Sequence, residues 1–321
     1  MTDTTMIATM IAAGIDTGKH TLDVAIHDDG KRWQFDNSPT GITDLARLLR
    51  RRKVERVGIE ATGGYERQVV AALRKAGFTV IVLQPIQVRG YAQSVLCRAK
   101  SDRIDCGLIA ACAARLEVKG RDPDPRLVPM ADLLTFIEQT EEDIVRCKVR
   151  REHAHSSEQR RLLEADIKRF TKRRANLMAR LQVMIAAHDD LERRHDLLLS
   201  IDGVGDRTAL AMLIRLPELG SITREQAASL AGLAPFIHDS GSHKGERHIA
   251  GGRHRLRRSV YAATIPAAYF HNHQLVAFQR RLVEAGKSPK LALIACARKL
   301  IVFANAVLAR GTPWQKQTAR A

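Results

Sequence analysis

Aromatic residues are scarce in this sequence, at 4% of its 321 residues. A surface that reads single-stranded nucleic acid mainly by base stacking needs many aromatic side chains, so the composition argues against one. Cysteine is also sparse, and the five cysteines form no CxxC pair and are odd in number. A disulfide scaffold or a cysteine-rich zinc site is therefore not expected, and a reducing cytoplasm fits.

Acidic residues are outnumbered, with 35 Asp and Glu against 52 Lys and Arg, and the net charge is +17. Such an excess indicates a polyanionic partner, and nucleic acid is the commonest one. We read no apolar run of membrane-spanning length and no basic segment before the apolar N-terminus. The sequence therefore predicts a cytoplasmic protein, associated with the nucleoid when bound, without a membrane partner.

The first 125 residues have the pattern of an α/β layer. Residues 11–26 predict two strands around a glycine turn, and residues 33–35 predict a third. Further strands at 57–60 and 78–83 alternate with helical segments, the last of which covers residues 102–116. Three antiparallel strands followed by alternating helices and strands indicate a mixed central sheet.

Four acidic residues interrupt this pattern. Asp16 and Glu60 stand at the ends of two apolar strands, and Asp102 and Asp105 share one face of a helix near its N-terminus. Carboxylates from two strand ends and a helix could converge on Mg²⁺, a hard cation that prefers oxygen ligands. Each acid taken alone could equally cap a helix or fix a turn.

Between residues 131 and 200 the chain has neither glycine nor proline, and apolar residues recur at helical spacing. We predict two long helices over residues 130–198, an antiparallel coiled-coil pair with a turn or kink near 153–157. Their heavy positive charge favours nucleic-acid contact over plain solvation, and such a pair is also a natural dimerisation element. The candidate nucleic-acid-binding residues here are Arg169, Lys172, Arg173 and Arg174.

Residues 199–214 predict two helices around a Gly203-Val204-Gly205 turn. The arrangement resembles a helix-hairpin-helix motif, in which backbone N–H groups at a helix N-terminus bind a phosphate. A glycine turn between two packed helices is the simpler alternative.

A polar, basic and glycine-broken stretch covers residues 239–253. It holds Ser240 and Ser242, with the phosphate-neutralising candidates Lys244, Arg247 and Arg253. Glycines, arginines and a nearby base are what phosphoryl transfer to serine requires. A solvated loop with a capping serine would have similar composition.

Several motifs carry a family resemblance. Residues 14–19 (GIDTGK), 59–65 (IEATGGY) and 100–105 (KSDRID) resemble, in order and spacing, the acidic motifs of the DEDD insertion-sequence transposases. That family includes the Piv/MooV-type DNA invertases and the bridge-RNA-guided recombinases. The transposase domain of the same family is matched in order by GLAP at 232–235, Ser240-Gly241, Lys244-Gly245 and GGR at 251–253.

The resemblance implies three regions. They are a RuvC/ribonuclease-H-like DEDD domain over 11–125, the helical region over 130–198, and a mostly helical transposase domain over 199–312. It implies Mg²⁺ bound by Asp16, Glu60, Asp102 and Asp105, and it maps the catalytic serine onto Ser240, with Ser242 as the rival. The implied partners are double-stranded donor and target DNA, a structured guide RNA, and at least one further copy of the chain.

The sequence thus predicts a Mg²⁺-dependent DNA transposase that forms a covalent phosphoserine intermediate. One alternative is a resolvase-type nuclease in which the acids activate water and Ser240 is only structural. Another is a non-catalytic protein that binds RNA or DNA. A nuclease leaves free DNA ends, whereas a serine recombinase leaves protein attached to DNA.

Overall fold

In a computed structural model of the chain, the structure describes residues 11–95, 102–116, 124–236 and 248–315, and of residues 102–105 the backbone alone. The chain divides into two compact units, Met1–Asp122 and Pro123–Ala321.

The first unit is built on a five-stranded sheet. Its strands are β1 (Ala12–Thr17), β2 (Thr21–Ile26), β3 (Arg32–Asp36), β4 (Arg56–Glu60) and β5 (Thr79–Leu83). The strand order is β3-β2-β1-β4-β5; β1, β2 and β3 pair antiparallel, whereas β4 is parallel to both β1 and β5. The predicted mixed sheet is confirmed.

Helices cover both faces of this sheet. They are α1 (Pro39–Arg51), α2 (Arg67–Lys75), α3 (Pro85–Ser94) and α4 (Asp102–Arg115). On one face, strand residues such as Ile15 and Ile59 form a core with Leu45 of α1 and Leu73 of α2. Alternate strand residues point to the other face, where α4 packs across β1, β2 and β4.

The second unit, over its described residues, is helical apart from two short strands. Its elements are α5 (Leu127–Glu152), α6 (Ser157–Ala186), α7 (Asp189–Leu199), α8 (Asp206–Arg215), α9 (Arg224–Leu230), β6 (Pro235–Phe236), β7 (His248–Ile249), α10 (His254–Pro266), a π-helical segment (Ala267–His271), α11 (His273–Glu284) and α12 (Pro289–Arg310). Leucine, isoleucine and alanine side chains from α5 to α12 share one core.

Helices α5 and α6 form an antiparallel pair. Arg151 of α5 lies 3.7 Å from Glu164 of α6, and Glu141 of α5 lies 3.9 Å from Arg174 of α6. The contact therefore moves ten residues forward along α6 as it moves ten residues back along α5. The prediction of two helices up to residue 198 was wrong in one respect, because a break after Ala186 separates α7 as a third helix.

Helix α12 also requires a correction. Its 22 residues include a window of mean hydropathy 1.9, so by length and composition it could cross a membrane, contrary to the expectation that no apolar run is long enough. Half of that window is buried within the protein. Asn305 in this helix accepts a hydrogen bond from the Gly220 N–H and donates one to the Ile222 carbonyl, both at 2.8 Å. These contacts are those of a core helix.

Candidate functional site

Two of the predicted acidic residues lie side by side at one edge of the sheet. Ile15 in β1 and Ile59 in β4 are partners in the parallel ladder. Asp16 directly follows Ile15, and Glu60 directly follows Ile59. Both acidic residues are half-buried. Because residues in register point to the same face of a sheet, the two carboxylates share one face as well as one edge.

Helix α4 packs closely on this face because two glycines leave room for it. Gly14 and Gly58 are partners in the β1–β4 ladder. A Cβ atom on Gly14 would lie 2.2 Å from the backbone oxygen of Cys106, and one on Gly58 would lie 2.7 Å from Cβ of Ala113. Any larger residue at Gly14 would therefore push the helix away from the acidic edge.

The direction of α4 brings its first turn to the same edge. Arg56, at the start of β4, donates from Nη1 to the carbonyl oxygens of Ala113 and Leu116 at the other end of the helix, at 3.0 and 2.7 Å. The helix therefore runs antiparallel to β1 and β4. Its first turn contains Asp102 and Asp105, whose side chains lie outside the described residues.

A further acid, Asp23, lies at this edge, and sequence reasoning missed it. It is directly opposite Asp16 in the antiparallel β1–β2 ladder, and its Oδ1 accepts a hydrogen bond from Gln34 Nε2 at 2.9 Å. Burial raises the pKa of the nearby Cys106 thiol; Arg32 opposes this, and the negative charges of Asp23 and Asp16 raise it further. Like charges directly opposite each other are destabilising, so the strand pair contains repulsion that a cation would relieve.

Among the side chains that the structure describes, no group of three His, Cys, Asp or Glu residues could hold a metal ion. Two of the four predicted ligands, Asp102 and Asp105, are not among those side chains. The two that are, Asp16 and Glu60, supply oxygen donors on neighbouring strands, which is the donor type that Mg²⁺ prefers. The described half of the predicted set thus fits a hard divalent cation.

The segment 237–247, with Ser240, Lys244 and Arg247, lies outside the described residues. The strands on either side of it pair with each other: Pro235 is opposite Ile249 in the antiparallel β6–β7 pair. The two ends of the segment are therefore held together on the second unit.

Glycines of the flanking motifs bring backbone against backbone at the base of this segment. A Cβ atom on Gly252 would lie 2.2 Å from the Gly232 nitrogen, and one on Gly232 would lie 2.4 Å from the Gly251 oxygen. Arg257 donates from Nη1 to the carbonyl oxygens of Gly232 and Gly251, at 3.1 and 2.8 Å. This packing gives the GLAP and GGR motifs a structural role in addition to any chemical one.

Arg253, the arginine of the GGR motif, is engaged within the protein. Its Nη1 and Nη2 donate to the two carboxylate oxygens of Glu218 at 2.7 and 2.6 Å, and Nη1 also donates to the Arg215 carbonyl at 2.7 Å. Burial opposes ionisation of Glu218, but the Arg253 hydrogen bond and charge still bring the pKa of this carboxyl below its usual value. A phosphate bound by Arg253 would have to share its guanidinium with the Glu218 carboxylate.

The basic residues predicted on α6 are all exposed: Arg169, Lys172, Arg173 and Arg174. Arg169 pairs with Asp166 at 2.8 Å, and the guanidiniums of Arg169 and Arg173 lie over the Phe170 ring. Exposed pairs of this kind contribute only about 0–1 kcal/mol, so a phosphate can replace them at little cost.

The glycine turn before α8 has one packed and one open member. Gly203 adopts φ +91°, and a Cβ atom there would lie 2.4 Å from Cβ of Ala267 in the π-helical segment. Gly205 is the N-cap of α8, and no heavy atom of the described residues lies within 4 Å of its Cβ position. Gly203 thus serves packing, and the helix-hairpin-helix assignment stays a prediction.

Sequence reasoning also missed a buried carboxylate surrounded by arginines. Glu138 in α5 is 1% exposed and accepts hydrogen bonds from Arg207, Arg215 and Arg255, at 3.1, 2.8 and 2.8 Å. These arginines belong to α8 and α10, so the cluster joins three helices. A cavity of about 550 Å³ beside it is lined in part by Glu138, Arg207 and Arg258.

Two family models match the sequence. A model of DEDD transposases of the IS110 type matches residues 13–155, and one for the transposase IS116/IS110/IS902 family matches residues 195–280. Together they cover well over half of the chain and include both the acidic edge and the Ser240 segment. The chain belongs to the IS110 family of transposases. It is a DNA recombinase/transposase enzyme.

The similarity of this transposase to full-length relatives extends through both units. Pilin gene-inverting proteins from Moraxella bovis and Moraxella lacunata are each 25% identical to it over 314 residues, which is 95% of this chain and 97% of the relative. Two solved Thermus thermophilus RuvC structures, one in complex with Holliday junction substrate, cover 32% of this chain at 20% identity and a TM-score of 0.26. The matches include 92% and 91% of the RuvC chains.

Proposed function

We propose that this IS110-family transposase cuts and rejoins DNA through a covalent serine intermediate, with Ser240 as the nucleophile. We further propose that Asp16, Glu60, Asp102 and Asp105 hold Mg²⁺ in a RuvC/ribonuclease-H-like domain. The observation that carries the proposal is the placement of Asp16 and Glu60 on neighbouring strand ends, where the first turn of α4 also lies.

The proposed reaction conserves the number of phosphoester bonds. The Ser240 hydroxyl attacks a DNA phosphorus, the bond to the 3′-oxygen breaks, and the departing oxygen takes up a proton as a free 3′-hydroxyl. The DNA 5′-phosphate is then esterified to serine, and a 3′-hydroxyl can attack it to rejoin DNA and release the enzyme. When bound, Mg²⁺ supplies positive charge at the phosphate oxygens and lowers the pKa of the attacking hydroxyl.

The chain's own residues have three tasks in this proposal. The acidic edge holds the metal, the paired strands at the base of segment 237–247 position the serine, and basic groups bind phosphates. The proposed phosphate-binding groups are Arg169, Lys172, Arg173, Arg174, Lys244, Arg247, Arg253 and the backbone at Gly203 and Gly205. Helices α5 and α6 would act as a coiled-coil contact between copies of the chain.

Substrate and partners follow from the family. We propose that the substrates are double-stranded donor and target DNA, that a structured guide RNA pairs with both, and that at least two protomers assemble in the cytoplasm. The curated relatives are named for inverting a gene. Inversion requires rejoining as well as cleavage, which supports a recombinase over a nuclease that releases free ends.

The decisive experiment looks for protein attached to DNA. Purified protein, with its co-purified RNA and Mg²⁺, is incubated with labelled element-end DNA, and the products are resolved before and after protease treatment. We expect a protease-sensitive adduct that Ser240→Ala abolishes and Ser242→Ala largely retains. Free DNA ends without an adduct would instead support the nuclease reaction by water attack. Normal recombination by the variant that carries both Ser240→Ala and Ser242→Ala would do the same.

A further inference from the structure

Two aromatic side chains stand exposed next to each other on the second unit. Tyr269 is 43% exposed and Phe270 is 77% exposed, and their ring centroids are 6.2 Å apart. The His271 ring lies 6.4 Å from the Phe270 ring. We call Tyr269, Phe270 and His271 the aromatic patch. Although the chain as a whole is poor in aromatics, this site concentrates three rings at the surface.

The fold fixes the backbone of this patch from beneath. Pro266 ends α10, and the chain continues as the π-helical segment, a rare conformation that is frequent at functional sites. Asn272, which is 1% exposed, caps α11 and donates from Nδ2 to the Asp202 carbonyl at 3.2 Å. Ala267 packs against Gly203 of the glycine turn. The rings therefore project from a backbone that is held on its inner side.

The exposed face of α10 leads from Arg258 to the patch, which lies in the π-helical segment just beyond the helix. Arg258, Ala262, Ile265 and Tyr269 are exposed and follow one another at helical spacing along this face. At the start of this face lies the Glu138 cluster, where Arg207, Arg215 and Arg255 surround Glu138. Arg207 also pairs with Glu141, and Arg258 pairs with Glu142 at 2.7 Å, so these four guanidiniums face three carboxylates. The Arg258–Glu142 pair is exposed and contributes only about 0–1 kcal/mol, so a phosphate can replace it at little cost. A strand with phosphates along this face would find positive charge before it reaches the rings.

We propose that Tyr269 and Phe270 form a stacking site for an unpaired DNA base, with the strand's phosphates along the face of α10 that carries Arg258. Every base has a π face, so such a site binds without sequence preference. The inference rests on the proposed function only in that strand exchange exposes unpaired DNA bases.

The test measures binding with protein that cannot form the proposed adduct. In a Ser240→Ala background, fluorescence anisotropy compares a labelled single-stranded DNA of about 12 nucleotides, within the usual site sizes, with a duplex of the same sequence. Phe270→Ala should weaken single-strand binding roughly tenfold, the effect of losing one base–aromatic stack, and leave duplex binding unchanged. Phe270→Trp should restore it, whereas Phe270→Leu, which keeps an apolar side chain without a ring, should not.

The salt dependence separates stacking from phosphate contact. Phe270→Ala should leave the slope of log affinity against log salt unchanged, whereas Arg258→Gln should lower it by about 0.7 on single strands. Because Phe270 is mostly exposed, Phe270→Ala should also keep the wild-type Tm.

Four results would overturn the inference. They are equal losses on single strand and duplex, full affinity in Phe270→Leu, a larger loss on RNA than on DNA of the same sequence, and dissociation of a protein dimer by Phe270→Ala without any change in DNA affinity. The last two would identify RNA or a second copy of the chain as the occupant. Failure of the serine mechanism would not affect these measurements.

Discussion

Replacing Gly14 by alanine should displace α4 and separate the proposed metal ligands. The added Cβ would lie 2.2 Å from two backbone atoms, the Ala110 nitrogen and the Cys106 oxygen, and neither can rotate away as a side chain could. Restoring an ordinary separation of ~3.5 Å moves the helix by roughly 1 Å. Overpacking of this kind costs about 1–3 kcal/mol, which for a unit of this size lowers Tm by about 4–12 °C.

The effect on activity should exceed the effect on stability. Asp102 and Asp105 are in the first turn of the displaced helix, whereas Asp16 and Glu60 stay on the sheet. A misplacement of about 1 Å in a reacting site can reduce the rate by about 10²-fold. Single-turnover cleavage of element-end DNA, measured well below the lowered Tm, would report this loss separately from unfolding.

Gly107 provides a matched control on the same helix. A Cβ atom there would find its nearest neighbour at 3.8 Å, the Nη2 atom of Arg32, which is ordinary contact. Gly107→Ala should therefore stabilise the unit by about 0.5–1 kcal/mol through helix propensity and leave cleavage intact. If Gly14→Ala unfolded at a lower temperature but cleaved at the wild-type rate, α4 would not position the acidic site. A Gly14→Ala protein as stable as the wild type would refute the packing itself.

Three further predictions test other parts of the molecule. Asp16→Ala should abolish cleavage yet leave Tm in metal-free buffer unchanged or higher, because it relieves repulsion with Asp23. Asp44→Ala, which removes a half-exposed carboxylate on the outer face of α1, is the control, and a large loss of stability in Asp16→Ala would contradict a metal-binding role. Changing all four predicted basic residues of α6 to glutamine should reduce the log–log salt slope on duplex DNA by up to about 3.6, and an unchanged slope would show that they do not contact phosphates. Burial lowers the pKa of His195 although Asp206, Asp196 and Glu192 oppose this, so below about pH 6.5 the unfolded chain binds more protons than the native state. Thermal melts should therefore show Tm falling as the pH drops below that value, and falling less in His195→Gln; equal pH dependence in both proteins would rule out His195 as the cause.

The sheet could be predicted from the sequence because its signals are local. Alternating apolar residues, a glycine turn and the acids at strand ends all lie within a few positions of one another, so β1, β2 and β4 were located to within about two residues. Asp23 was missed although it also interrupts an apolar strand. It stands in the middle of β2 and not at its end, and only the β1–β2 register shows that it is opposite Asp16.

The helical part was predicted less completely, for two local reasons. The absence of glycine and proline suggested continuity to residue 198, but Asp189, Asp190 and Glu192 favour a new helix N-terminus, and α7 begins there. The apolar spacing over residues 256–270 likewise predicts one continuous helix. Pro266 lacks the N–H that an α-helix requires, and α10 gives way to the π-helical segment at that point.

The ion pairs of the second unit could not be predicted from the sequence at all. Glu138 and Arg255 are 117 positions apart, and Arg253 and Glu218 are 35 apart. The one signal in the sequence is the position of Glu138, next to Ile137 on the apolar face of α5. A charge on a buried helix face needs a partner, but the sequence does not show which residues supply it.

These pairs determine which cations can take part in nucleic-acid binding. Removing one partner of a buried pair costs about 3–5 kcal/mol, so the guanidiniums around Glu138 should keep their places when nucleic acid binds. The exposed pairs on α6 contribute only about 0–1 kcal/mol and can be exchanged for phosphate contacts. The guanidiniums around Glu138 should then attract nucleic acid only through their electric field. The exposed basic residues of α6 should contact phosphates directly and so release counterions from the DNA. A measured salt slope should accordingly count exposed groups such as Lys172 and Arg173, and it should fall well short of what the net charge of +17 suggests.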